Sequence, residues 1–197
     1  MQKMKSRLNK KLITLIVFCL VAIISIGQDL KILNELKVKE PIDRSIKLSK
    51  DFSLTIDPDK DLFNYILSIK SKNTVKLTDT FEITPYGFNF RLFEIENKSD
   101  FLLIIEVEYE FTSEYPIYLI KKNEIKKIGN LNIRLDCNDC DVLNYPLSEI
   151  TVKGNQKMIE FSFTEDLVLI NPKKNEKKKY NEIRFVYNYK ENGLRIE

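Results

Sequence analysis

"GFNFRLFEIENKSDFLLIIEVEYEF", residues 87–111, carries two runs of alternating apolar side chains on either side of Asn97, Lys98, Ser99 and Asp100. A period of two is the mark of a strand, because successive side chains leave opposite faces of a sheet. The polar quartet between the runs reads as a hairpin loop. A four-residue loop over 97–100 sets Glu96 opposite Phe101. It then sets Leu92 opposite Ile105, Phe90 opposite Val107, Phe88 opposite Tyr109 and Arg91 opposite Glu106. One face is then apolar along most of its length. The other is apolar near the loop, through Phe93, Ile95, Leu102 and Ile104, and polar away from it, where Glu106, Glu108 and Glu110 stand in a row. A slip of one residue destroys this agreement between the two strands. The apolar patch on the second face requires a cover, either another layer of the same domain or a partner.

The alternation recurs downstream. Leu131, Ile133 and Leu135 alternate with polar residues, as do Ile150 and Val152, which predicts half-buried strands. Lys153, Gly154, Asn155 and Gln156 have turn chemistry, and setting Val152 opposite Ile159 keeps Ile159, Phe161 and Phe163 on one side, a second hairpin. Residues 167–170 and 183–189 add two more strands, separated by "NPKKNEKKKYNE", residues 171–182. Asn171 and Pro172 close the first of these. One segment carries both periods. In "IDPDKDLFNYILSIKSKN", residues 56–73, Asp57 suits a helix N-cap, Pro58 the first helical position, and Asp59 and Asp61 the positive helix end. Leu62, Tyr65, Ile66 and Ile69 have helical spacing, while Phe63, Tyr65, Leu67 and Ile69 also alternate. The capping pattern tips residues 58–70 to helix over strand. The chain is therefore expected to be mainly β, an antiparallel sandwich of the immunoglobulin-like kind with at most one short helix.

Residues 1–27 read as a bacterial-type secretory signal: basic residues at Lys3, Lys5, Arg7, Lys10 and Lys11, an apolar run from Leu12 to Ile26, and small residues at Ser25 and Gly27. Cleavage after Gly27 leaves residues 28–197 as a single domain in the periplasm, on the cell surface or secreted. The alternative is an inner-membrane anchor, because residues 12–28 carry no charge and sit at the lower edge of the length that spans a bilayer. Cys19 lacks the small residue before it that a lipid anchor needs. The whole chain has 32 Lys and Arg against 29 Asp and Glu. Removing the five basic residues of the signal leaves 27 against 29, so the mature domain is slightly acidic and gives no ground for nucleic-acid binding.

There is no histidine. That removes Ser-His-Asp and Cys-His nucleophiles and every imidazole metal site, and the glycine-rich phosphate motifs are absent as well. Carboxylate-only catalysis survives, so a hydrolase acting on glycans is the alternative function. The row Glu106, Glu108, Glu110 is the one ordered acidic stripe, and a solvated sheet face with one member paired to Arg91 is its preferred reading. "DPDKD", residues 57–61, opens like a calcium loop, but Leu62 and Ser68 stand where that loop needs glycine and glutamate. Cys137 and Cys140, in "LDCNDCDV" at residues 135–142, are spaced C-x-x-C. An exported chain favours a disulfide over a metal site short of ligands, and either over a redox centre lacking its βαβ setting. "KKNEKKKY", residues 173–180, puts Lys173, Lys174, Lys177, Lys178 and Lys179 close together, either as a solvated loop or as a contact for anionic lipid or polysaccharide. No residue is assigned a catalytic role, and neither cofactor nor metal is expected. The leading expectation is a non-enzymatic binding or assembly module of the cell envelope, with a protein or glycan partner.

Overall fold

The computed structural model describes residues 29–37, 45–48, 51–58, 65–72, 74–81, 87–95, 100–109, 113–121, 124–135, 145–164, 167–170, 177–180 and 183–197. In chain order the strands are β1 (Lys31–Ile32), β2 (Asn34–Leu36), β3 (Ser45–Lys47), β4 (Phe52–Pro58), β5 (Tyr65–Ser71), β6 (Thr74–Phe81), β7 (Gly87–Glu94), β8 (Phe101–Glu108) and β9 (Ser113–Glu114). They continue with β10 (Pro116–Ile120), β11 (Ile125–Asn130), β12 (Ile133–Leu135), β13 (Thr151–Gly154), β14 (Met158–Ser162), β15 (Leu167–Ile170), β16 (Lys177–Tyr180), β17 (Arg184–Asn188) and β18 (Gly193–Ile196). A single 3₁₀ turn, Leu147–Glu149, precedes β13, and no α-helix occurs among the described residues.

All pairings are antiparallel. The central sheet runs β11-β10-β8-β7-β2, with β9 also on β8; the C-terminal sheet runs β1-β13-β14-β17-β18; the N-terminal sheet runs β3-β4-β5-β6; and a small sheet runs β12-β15-β16. Hairpins of chain neighbours, such as β4-β5-β6, β7-β8 and β13-β14, are joined by long-range pairings, β1 with β13, β2 with β7, β12 with β15 and β14 with β17.

The central sheet is buried on both faces, so the sandwich has three layers. From one face Leu92, Leu103, Ile105, Val107 and Tyr118 join Leu54, Ile56, Leu67 and Ile69 of the N-terminal sheet in one core. From the other, Phe93, Ile95, Leu102, Ile104 and Ile117 join Val152, Ile159, Phe161, Phe185 and Tyr187 of the C-terminal sheet in a second. The cover expected over Phe93, Ile95, Leu102 and Ile104 is thus a layer of the same chain. This also explains why β8 reads as a near-continuous apolar run, since a strand covered on both sides has no solvent face to alternate with. At the sheet edge Gly129 of β11 lets β18 approach: a Cβ there would lie 2.6 Å from Leu194 Cδ2. On the other side Tyr118 Oη and Lys127 Nζ both donate to Asp79 Oδ2, each at 2.6 Å, tying β10 and β11 to β6.

The register of both expected hairpins is displaced by two residues. Phe90 lies opposite Ile105, Phe88 opposite Val107, Leu92 opposite Leu103 and Arg91 opposite Ile104. The closing bond runs from Ile95 N to Asp100 O at 3.0 Å, leaving 96–99 between its ends. The closing pair moves one residue back on each strand, from Glu96 with Phe101 to Ile95 with Asp100, which moves every pair by two. An even displacement returns each side chain to the same face, so facial patterning cannot detect it. Likewise Val152 lies opposite Phe161 and Gly154 opposite Ile159. There Asn155 Oδ1 accepts from Lys157 N at 2.8 Å and from Met158 N at 3.0 Å, pinning a two-residue turn that begins one residue later than the expected one.

The helix expected over 58–70 is contradicted where the segment is described, at Pro58 and 65–70; residues 59–64, with Asp59, Asp61, Leu62 and Phe63, lie outside the described residues. Tyr65–Ser71 is a strand, and Pro58 ends the strand before it. The buried pairs Ile56 with Leu67 and Leu54 with Ile69 decide the matter, and β5 satisfies its backbone groups on both sides, against β4 and β6. Local capping signals contribute about 1 kcal/mol each, and burial of four aliphatic side chains at about 1.5–3 kcal/mol each exceeds them. The lysine run is likewise not wholly a loop: Lys177, Lys178 and Lys179 belong to β16, which pairs with β15.

Candidate functional site

The polar half of the second hairpin face forms a cleft at one end of the layer between the central and C-terminal sheets. Asn89 and Arg91 come from β7, Glu106 from β8 and Glu35 from β2, while Pro146, Leu147 and Ser148 roof it from the 3₁₀ turn; with Phe90 they line a volume of ≈ 470 Å³. Arg91 holds Glu35 through two contacts, Nε to Oε1 at 2.9 Å and Nη2 to Oε2 at 2.6 Å. Its remaining Nη1 donates to the carbonyls of Leu147 at 2.8 Å and Ile150 at 2.6 Å. The guanidinium also lies 4.8 Å from the centre of the Phe93 ring. The planar fork of arginine suits this convergence of carboxylate, carbonyls and aromatic face.

The expected pairing of Arg91 with Glu106 therefore does not occur. The two-residue displacement puts Asn89 opposite Glu106, and Asn89 Nδ2 donates to Glu106 Oε2 at 3.0 Å and to Glu108 Oε1 at 2.6 Å. Nor is the acidic row a solvated face: Glu106 is only 7% exposed and Glu108 half-buried, and Glu110 lies outside the described residues. Burial pushes the Glu106 carboxyl above the usual glutamate range and the charge of Glu108 adds to this, while the Asn89 amide opposes it.

A carboxyl whose folded value is raised favours the fold while protonated, below its unfolded pKa, and that contribution is lost as pH rises through the folded value. Glu106→Gln keeps an acceptor for Asn89 and removes the buried charge. Its melting temperature at pH 7 is expected to equal or exceed that of the unsubstituted protein, and the gap should close as pH is lowered below the ordinary glutamate value. A variant less stable than the parent at pH 7 but matched to it at low pH would reverse the sign of this account.

Chemically the cleft offers one acid with a raised affinity for its proton. Of the neighbouring carboxylates, Glu35 is clamped by the guanidinium and Glu108 shares the Asn89 amide with Glu106, whereas glycoside hydrolysis needs a second carboxylate free to act as base or nucleophile. Among the described residues no cluster of three or more Cys, Asp or Glu side chains could hold a metal ion.

A second cleft lies at the opposite end of the same layer, where hairpin ends from both sheets meet. Lys31, Ile95, Asp100, Lys121, Asn155, Gln156 and Tyr189 line ≈ 630 Å³. Ile95 and Asp100 close the β7–β8 hairpin, Asn155 and Gln156 belong to the β13–β14 turn, Lys121 follows β10, and Tyr189 follows β17 with its N donating to Lys157 O at 3.0 Å. Lys121 Nζ sits 5.3 Å from the centre of the Tyr189 ring, which packs edge-on against Tyr187. Burial, and next the charge of Asp100, push the Tyr189 hydroxyl well above the usual phenol range, so it remains a donor.

Cys137, Cys140, Lys173 and Lys174 lie outside the described residues; Lys177, Lys178 and Lys179 fall on β16, while Arg91 and Glu106, singled out in the sequence, both line the first cleft. What sequence reading missed are Glu35 and the loop-end set, contributed by segments far apart in the chain; the turn chemistry of Asn155 and Gln156 was the one local signal. Among the described residues no helix is long and apolar enough to cross a membrane. The chain matches no protein-family model, no curated protein and no solved structure.

Proposed function

We propose that the protein is exported and acts as a non-enzymatic binding or assembly module of the cell envelope, its sandwich of the immunoglobulin-like kind. The carrying observation is the engagement of the charged groups in the Glu106 cleft. Arg91 is committed to Glu35 and two carbonyls, and Glu106 to Asn89, an arrangement that holds β2, β7 and the 3₁₀ turn together. Export is supported by residues 1–27, and the immunoglobulin-like form by the N-terminal segment that edges two sheets, β1 on one and β2 on the other. A disulfide between Cys137 and Cys140 belongs to the same reading; intact mass of exported material should be short by residues 1–27 and lighter by two hydrogens than the dithiol.

The functional test combines co-sedimentation with purified peptidoglycan sacculi and envelope polysaccharide, chemical cross-linking in intact cells, and chromatography of any soluble glycan fragments. Retention or a discrete cross-linked species without fragments is the expected result. Fragments that disappear with Glu106→Gln would establish the hydrolase instead. Neither retention nor cross-linking nor fragments would overturn both readings.

A further inference from the structure

The loop-end cleft brings together polar groups from five separate segments of the chain. Lys31 and Gln156 are exposed, Lys121 and Tyr189 half-buried, and the buried Ile95 supplies an apolar patch of wall. A volume of ≈ 630 Å³ is in the range of small-molecule sites, which combine an apolar lining with a few convergent polar groups. Among the described lining residues two ammonium groups stand against one carboxylate, that of Asp100, a net cationic balance. The Lys121 ammonium is held beside the Tyr189 ring, where reduced hydration strengthens its pull on an incoming anion. The Gln156 amide and the Tyr189 hydroxyl donate, and the Gln156 carbonyl and the Asp100 carboxylate accept, the mixed set that hydroxyl groups need. Hairpin ends on a rigid sandwich are also where binding residues are commonly carried.

We propose that this cleft binds an anionic saccharide, its acidic group between Lys31 and Lys121 and its hydroxyls on Gln156, Asp100 and Tyr189. The proposal rests on the reading of the protein as a binding module and names its ligand class. A sugar carboxylate and a sugar phosphate share the chemistry that two ammonium groups recognise, and calorimetry of the full-length protein with trigalacturonate, glucose 6-phosphate and neutral maltotriose separates them.

At least one acidic sugar is expected to bind about tenfold or more tightly than maltotriose, with affinity falling as salt is raised because ionic contacts are screened. The double variant Lys31→Gln, Lys121→Gln should lose about tenfold in affinity for that sugar, the scale of charge-assisted contacts, while keeping its circular dichroism spectrum. Gln156→Ala, on an exposed turn, should lose roughly threefold through one hydrogen bond, and it decides the matter if the double variant does not fold. Equal affinity for maltotriose, undiminished binding by a folded double variant, undiminished binding by Gln156→Ala, or no binding of either acidic sugar each overturns the proposal. Retention on sacculi or cross-linking without response to the acidic sugars would overturn the cleft assignment alone and leave the module reading standing.

Discussion

Phe161→Ala is expected to destabilise the protein by about 3–5 kcal/mol, the usual cost of deleting a core phenylalanine ring. Phe161 is 0% exposed. It lies between Val152 and Phe185 on the C-terminal sheet and reaches the core shared with the central sheet. A loss of this size is a large part of the stability of a domain of this length, so the variant should melt far below the parent or fail to fold. Phe90→Ala should cost less. Phe90 packs at the margin of the other core and remains half-buried, so part of its ring is already hydrated. Thermal and urea denaturation of the two variants gives the comparison. A larger loss for Phe90 than for Phe161 would contradict the double-sided burial of the central sheet.

Arg91→Ala is expected to cost about 2–3 kcal/mol, mostly because two carbonyls near the 3₁₀ turn lose their donor. The ion pair itself contributes little. The Glu35 side chain is 45% exposed, and pairs in contact with water contribute about 1 kcal/mol or less. Glu35→Ala should therefore stay within about 1 kcal/mol of the parent. Arg91→Lys should recover only part of the loss, since a single ammonium cannot reach Glu35, Leu147 and Ile150 in the geometry of the fork. Chemical denaturation of the three variants tests the ordering. If Glu35→Ala cost as much as Arg91→Ala, the ion pair would outweigh the carbonyl contacts and the turn would not depend on Arg91.

Strand identity was legible in the chain wherever one face alternates, as at 87–94, 151–154 and 158–162, because the pleat imposes a period of two on any strand with unlike surroundings. The facial assignment of Phe93, Ile95, Leu102 and Ile104, and the need for a cover over them, were legible for the same reason. Pairing register was not: displacements by two preserve every face, and only the closing bonds at Ile95 with Asp100 and at Asn155 with Met158 select among them. The choice of strand over helix at Tyr65–Ser71 was not legible either, because it rests on pairing with β4 and β6 on both sides, and a segment with both periods takes the one its neighbours can bury.

The sites divide along the same line. Local composition identified the acidic row and Arg91 as notable. Which acid Arg91 holds, and that Glu106 is buried rather than solvated, depended on the two-residue register and on the approach of the 145–150 segment. The loop-end cleft is assembled from Lys31, Asp100, Lys121, Gln156 and Tyr189, positions separated by up to most of the chain. Periodicity and motif spacing are short-range properties of a chain, whereas a cleft between stacked sheets is made by contacts whose separation in sequence carries no pattern, so the tertiary structure alone decided where the polar groups converge.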